Sequence, residues 1–199
     1  MDVKNRTHGM DWDDVLIYLC GPMDYAEDSG REWRDVITEE LEEIGFDRKQ
    51  ILNPCQKPIS SAGHKMSDEV KLMNGYREME DWEGLERLMK KIMNIDLRLV
   101  DKSDIVIVNI SSDVRTTGTI HEVVQARIQH KPVYLIDTQG MQHVSGWMLA
   151  LVGRDRVHQS MESVVESIRR IKKFGPQSTR DAKDFLIFDF DQVEVADGS

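Results

Sequence analysis

A carboxylate just past a strand end and beside a glycine is a residue type that can attack or stabilise an electron-poor carbon. Glu122 has that setting, in Thr119-Ile120-His121-Glu122 behind the loop Thr116-Thr117-Gly118. A position in the first turn of a helix would keep the carboxylate ionised through the helix dipole, as a nucleophile requires. The same four residues also spell a capping box, with Thr119 at the N-cap and Glu122 three residues on, where the carboxylate only satisfies a backbone donor. One rotamer serves only one of these roles. Arg31 and Arg34, with Thr116, Thr117 and the Gly118 backbone, could hold one phosphate at helix N-termini. Alternatively, these arginines are surface partners of Asp35 or Glu39.

Other chemistries lose their usual markers. There is no G-x-G-x-x-G, no Walker-type phosphate loop and no G-x-S-x-G elbow. The histidines at 64, 121, 130, 143 and 158 do not adopt H-x3-H or H-E-x-x-H spacing, so neither a metal nor a redox cofactor is expected. Cys20 and Cys55 are too few for a disulfide scaffold and read as reduced cytosolic thiols. The methionines at 66, 73, 79, 89 and 93 read as core or subunit interface.

The elements that would position Glu122 follow from apolar periodicity. Val15 to Cys20 is a nearly continuous apolar run, as in a strand buried on both faces, and Gly21-Pro22 ends it. Trp33, Val36, Ile37, Leu41 and Ile44 predict a helix from about Ser29 to Ile44, with Glu39 to Glu43 on its solvated side. Ile51 to Pro54 is a minimal strand. The polar stretch that follows, up to about Met79, has no steady period and reads as an insertion or lid. Leu85 to Val100 is a helical stripe running into Ile105 to Ile110, the strongest strand. A helix from Ile120 to about His130 and a strand from Pro132 to Ile136 come next, and Val164, Ile168 and Ile171 mark one more helix, ended by Gly175-Pro176. Trp147 reads as a buried aromatic or as the cover of a bound ligand. Strands alternating with helices predict an α/β fold with helices on both faces of a parallel sheet, and ligands then bind beyond the carboxyl ends of the strands. Three loops qualify: Gly21 to Ser29, Asn53 to Pro58 and Ser111 to Gly118. The chain divides into a polar leader (1–14), one domain (15–175) with the insertion at 55–82, and a tail (176–199) whose Phe185 to Phe190 segment is too aromatic to hang free.

Composition narrows the partners. With 199 residues, 26 basic against 36 acidic side chains and a formal charge of −10, this is one domain that repels a nucleic-acid backbone. The apolar runs are far below the ~20 residues of a membrane span, and the first residues lack the pattern of a signal peptide, so a cytoplasmic protein without membrane attachment is expected.

Several short motifs together carry a resemblance. Ile17-Tyr18-Leu19-Cys20-Gly21-Pro22-Met23 before a helix, Asn53-Pro54, Asp96 ahead of Lys102-Ser103-Asp104-Ile105, and Gly118-Thr119-Ile120-His121-Glu122 before Ala126 and Lys131-Pro132-Val133 are similar in order and spacing to the nucleoside 2-deoxyribosyltransferase family and its nucleoside-monophosphate N-glycosidase relatives. The likeness runs from about Val15 to Asp137. It implies a flavodoxin-like three-layer sandwich and an enzyme that breaks or exchanges the bond between a base and C1′ of a deoxyribose or deoxyribose phosphate. By the same resemblance Glu122 is the nucleophile, Tyr18 the strand-end tyrosine that holds it, and Asp96 the acid that meets the base. The substrate-binding set around them is Gly21, Pro22, Met23, Arg31, Asn53, Asn109, Thr116, Thr117 and Gly118. The implied partners are a nucleoside or nucleotide, a free base, and further copies of the chain in a homo-oligomer. A hydrolase and a non-catalytic nucleotide sensor are the alternatives. The Gly/Arg-rich loop of phosphate-binding members is replaced here by Met23-Asp24-Tyr25-Ala26-Glu27-Asp28.

Overall fold

The computed structural model describes residues 11–23, 30–56, 66–110, 117–176 and 179–185. Its frame is a five-stranded sheet made of β1 (Ile17–Cys20), β2 (Ile51–Leu52), β3 (Ile105–Asn109), β4 (Val133–Ile136) and β5 (Val157–His158). All neighbours pair parallel in the order β2-β1-β3-β4-β5. This is the flavodoxin-like doubly wound order, and its direction of winding reverses between β1 and β3. The helices are α1 (Glu32–Glu43), α2 (Met66–Glu78), α3 (Trp82–Lys102), α4 (Thr117–Ile128), α5 (Gly146–Val152), α6 (Met161–Phe174) and α7 (Thr179–Asp184).

Side chains alternate across a strand, so β1 feeds two cores. Ile17 and Leu19 join Ile105, Ile107, Tyr134 and Ile136 on the face covered by Ile37 and Leu41 of α1 and by Val164, Val165, Ile168 and Ile171 of α6. Tyr18 and Cys20 join Val106, Val108, Val133 and Leu135 on the other face, under Val100 of α3, Val123 and Ala126 of α4, and Met148 and Val152 of α5. This second face carries the residues with chemical potential. No helix among the described residues is long and apolar enough to cross a membrane.

The strands and the helices α1, α3, α4 and α6 lie where periodicity puts them, with ends shifted by a few residues. The stretch read as aperiodic contains α2, which packs along α3 and buries Met73 and Glu69. So narrow an apolar stripe, interrupted by Gly75, leaves little period to detect. The short elements α5, β5 and α7 were not foreseen either, since two to seven residues carry too little pattern. Ser145 caps α5 by accepting from the Met148 backbone N–H at 3.2 Å. Trp147, next to that cap, is 75% exposed, which corrects its reading as a buried aromatic. At the ends of the domain, Trp12 belongs to the core three residues before the boundary read from sequence. It packs on Phe46 and on Phe185. The C-terminal segment therefore does fold back on its own domain as far as Phe185, and residues 186–199 lie outside the described part.

Candidate active site

The winding reversal leaves a crevice at the carboxyl ends of β1 and β3, and a cavity of about 420 Å³ occupies it. That volume falls within the ~300–1,000 Å³ of small-molecule sites. Gly21, Pro22 and Met23 enter from the end of β1, while Met89, Ile92, Met93, Asp96 and Leu97 form a wall from α3. Thr117, Gly118, Thr119, His121 and Glu122 close it from α4. The wall is largely aliphatic and thioether, suited to a flat apolar ring, and the polar groups are concentrated near the strand ends.

Glu122 lies at the meeting point. It is 8% exposed, and its Oε2 accepts a hydrogen bond from the Cys20 thiol at 2.8 Å. The Tyr18 hydroxyl donates to the same carboxylate. Tyr18 and Cys20 reach it together because they are two residues apart on β1 and therefore share a face. Helix α4 begins at Thr117, so Glu122 is in its second turn. This removes the capping-box reading, because Thr119 is already inside the helix and the carboxylate is turned toward β1. It also corrects the expectation of a dipole-stabilised anion, since the dipole fades beyond the first turn. Burial, reinforced by the negative charge of Asp96, pushes the Glu122 carboxyl up to about 7, against the opposing pull of Cys20, Arg34 and Tyr18. The same burial, with Glu122 nearby, raises the Tyr18 hydroxyl and the Cys20 thiol, so both keep their protons and act as donors. Asp96 is 4% exposed on α3 and lines the cavity. It is not a solvated helical charge.

The end of β1 and the approach to α1 are tied together by a buried cation. Arg34 is fully buried, with Nε donating to the Leu19 carbonyl at 3.1 Å, Nη2 to the Gly21 carbonyl at 2.8 Å, and Nη1 to the Gly30 carbonyl. Its guanidinium also lies 4.6 Å from the centre of the Trp33 ring. Two glycines make room for this clamp. Gly30 has φ +71°, and a Cβ there would collide with the guanidinium and with the Pro22 carbonyl. A Cβ at Gly21 would approach the Asn109 carbonyl and Trp33 to 2.9 Å. Neither reading of Arg34 from sequence survives. With its donors committed to carbonyls it is not part of a phosphate cradle, and at zero exposure it is not a surface partner of Asp35 or Glu39.

The structure thus brings Glu122, Tyr18 and Asp96 together with Gly21, Pro22, Met23, Thr117 and Gly118. Arg31 is exposed at the N-cap of α1 and is not among the cavity residues. Asn53 is buried, and its Oδ1 accepts from the Cys55 backbone N–H at 2.8 Å, shaping the turn after β2. Asn109 is half-buried at the end of β3, outside the lining. Thr116 falls outside the described residues. Cys20 was missed as a site residue, although its spacing from Tyr18 on one strand was the available signal. Among the described residues no group of three or more His, Cys, Asp or Glu could hold a metal ion.

Comparison with known proteins adds two findings. A family model described as nucleoside 2-deoxyribosyltransferase matches residues 17–167, a span that contains Tyr18, Cys20, Asp96 and Glu122. Among curated proteins, an oligo-1,6-glucosidase of Bacillus cereus is 29% identical over 94 residues, 42% of this chain. The chain spans 17% of the length of that protein.

Proposed function

The chain belongs to the nucleoside 2-deoxyribosyltransferase family, and on that premise we propose that it cleaves or exchanges the N-glycosidic bond of a 2′-deoxynucleoside or its 5′-monophosphate, with Glu122 as nucleophile. The observation that carries this reading is the Glu122 carboxylate, buried at the crevice and held by donors from β1, with Asp96 lining the same cavity. The Glu122 carboxylate attacks C1′ while the bond from C1′ to the base nitrogen breaks and its electron pair leaves with the base. Asp96 hydrogen-bonds or protonates that nitrogen, lowering the cost of an anionic leaving group. Tyr18 holds the carboxylate on line, and the oxocarbenium-like state collapses to a glycosyl ester on Glu122. A second base then attacks C1′ through a ring nitrogen, that nitrogen's proton passes to Asp96, and the carboxylate departs, restoring the enzyme. Attack by water instead gives the free sugar and makes the protein an N-glycosidase.

The chemistry needs the Glu122 anion, whose carboxyl titrates at about 7, so activity rises with pH through neutrality. The aliphatic wall of α3 supports a base lying flat against Ile92 and the methionines. With Arg34 committed elsewhere and Arg31 outside the cavity, a 5′-phosphate would fall to the start of α4, where Thr117 and Gly118 line the cavity. A homo-oligomer belongs to the same reading, supported by exposed apolar residues at Ile120, Ile128 and Trp147.

Incubation with each deoxynucleoside and its monophosphate, with and without a second free base, followed by chromatography of the products, tests the proposal. Exchange of bases with ping-pong kinetics is the expected result. Release of free sugar at one rate whether or not an acceptor is present would select the hydrolase. Failure to cleave any deoxynucleoside or deoxynucleotide would overturn the reading.

A further inference from the structure

Cys20 is the last residue of β1, and its thiol reaches across to Thr119 and Glu122 of α4, both of which line the cavity. Its Sγ lies 2.8 Å from Glu122 Oε2 and 3.7 Å from the Thr119 carbonyl oxygen. An S–H carries one proton, and the carboxylate, when ionised, is the stronger acceptor. The side chain is completely buried among Val108, Val123 and its other apolar neighbours. A thiol tolerates such surroundings better than a hydroxyl and still keeps a donor. We propose that Cys20 is a positioning residue, whose thiol donates to Glu122 and, together with the Tyr18 hydroxyl, fixes the carboxylate for attack.

This assignment rests on the reading of Glu122 as nucleophile and deepens it. A glutamate side chain has three rotatable bonds, and a single donor leaves the carboxylate free to swing about that contact. Two donors from one strand face remove the swing. Cys20 is not itself the nucleophile, because burial and the adjacent carboxylate keep the sulfur protonated. The ionised carboxylate accepts the S–H bond better than the neutral acid does, so loss of the thiol moves the titration of Glu122 upward. The other groups bearing on that titration are Tyr18 of β1, Asp96 of α3 and Arg34 of α1, with His121 on the same helix lining the cavity. Of these, Tyr18 also feels Cys20 directly, which helps to raise its hydroxyl.

Two measurements test the proposal. The first needs no substrate. In a Cys55→Ser background, the infrared S–H stretch of Cys20 is followed against pH. It is expected to lie at the frequency of a hydrogen-bonded thiol and to move in one step as Glu122 ionises near pH 7, a step that disappears in Glu122→Gln. A stretch that does not change with pH and is the same in Glu122→Gln would overturn the contact. The second is the pH profile of kcat/KM, whose acid limb reports ionisation in the free enzyme. Cys20→Ala is expected to move that limb up by roughly half a unit to one unit and to lower kcat/KM below it by about fivefold, as for a weak donor to a charged acceptor. Cys20→Ser restores a donor and should return the limb toward wild type. If Cys20→Ala and Cys20→Ser share the wild-type limb and differ only in melting temperature, Cys20 merely packs. That failure is distinct from failure of the nucleophile itself, which would appear as retained turnover in Glu122→Gln.

Discussion

Arg156 and Glu122 are both buried charges, yet the first is matched and the second is not. Arg156 is 2% exposed, and its two terminal nitrogens meet Asp181 Oδ1 at 2.6 Å and Asp184 Oδ2 at 2.5 Å. Arg127 adds a second cation at 3.0 Å from the same Asp184 oxygen, so two positive and two negative groups share one enclosure. Tyr134 and Phe185 flank the Arg156 guanidinium. Glu122 instead shares its cavity with a second carboxylate, Asp96, and its close partners are the neutral donors Cys20 and Tyr18. Both clusters touch α4, one through Glu122 in its second turn and the other through Arg127 near its end. The matched cluster anchors α7 to the domain. The unmatched one opposes folding, and an arrangement of that kind persists where reactivity needs it.

The contrast is broken most sharply at Glu122. Glu122→Gln keeps the size, removes the proposed nucleophile, and should cost about 10⁴-fold or more in turnover, measured by product chromatography on protein of verified fold. Turnover close to wild type would return Glu122 to a structural role. At the matched cluster, Arg156→Met leaves Asp181 and Asp184 with too little positive charge, and urea unfolding should show a loss of about 3–5 kcal/mol. Its turnover per folded molecule should be nearly unchanged. A loss below ~1 kcal/mol would mean that α7 is not held by these pairs.

The pH dependence of stability separates the two regions again. The Glu122 carboxyl moves from its ordinary 4.5 up to about 7 on folding, so between those values the folded protein keeps a proton that the unfolded chain has released. Stability from this group is therefore present below pH 4.5 and falls as pH rises toward 7, by about 3 kcal/mol in all. Subtracting the Glu122→Gln profile from that of the wild type isolates the effect. Identical profiles would mean that the carboxyl is not perturbed. Smallest is Tyr18→Phe, which removes one donor to the carboxylate and should lower kcat by about 10- to 100-fold with little change in KM. An unchanged kcat would leave Tyr18 as a packing aromatic.

Much of this was legible in the sequence where burial is periodic. The runs at 15–20 and 105–110 announced strands enclosed on both faces, and the 3.5-residue rhythm from Leu85 to Val100 announced α3. The meeting of Tyr18, Asp96 and Glu122 was accessible only through motif resemblance, since the three lie far apart in the chain. Arg34 escaped for a physical reason. An arginine is ordinarily solvated, and its burial here depends on the carbonyls of Leu19, Gly21 and Gly30, which come together only in the folded chain. Cys20 escaped because a cysteine in an apolar run is indistinguishable from a small core residue until the opposing helix is in place. The state of Glu122 could not be read either, because it turns on where α4 begins and on the depth of burial.

The alternation in β1 has a consequence for quality control. Ile17 and Leu19 occupy one core while Tyr18 and Cys20 face Glu122 from the other. A slip of one residue would exchange the two sets, sending a phenol into the aliphatic core and an isoleucine to Glu122. The register that lets the chain fold is thus the register that brings Tyr18 and Cys20 to Glu122, and a molecule that passes the cell's test for stability has assembled the candidate site in the same step. Inactive yet well-folded material should consequently come from damage to individual side chains, not from misthreaded strands.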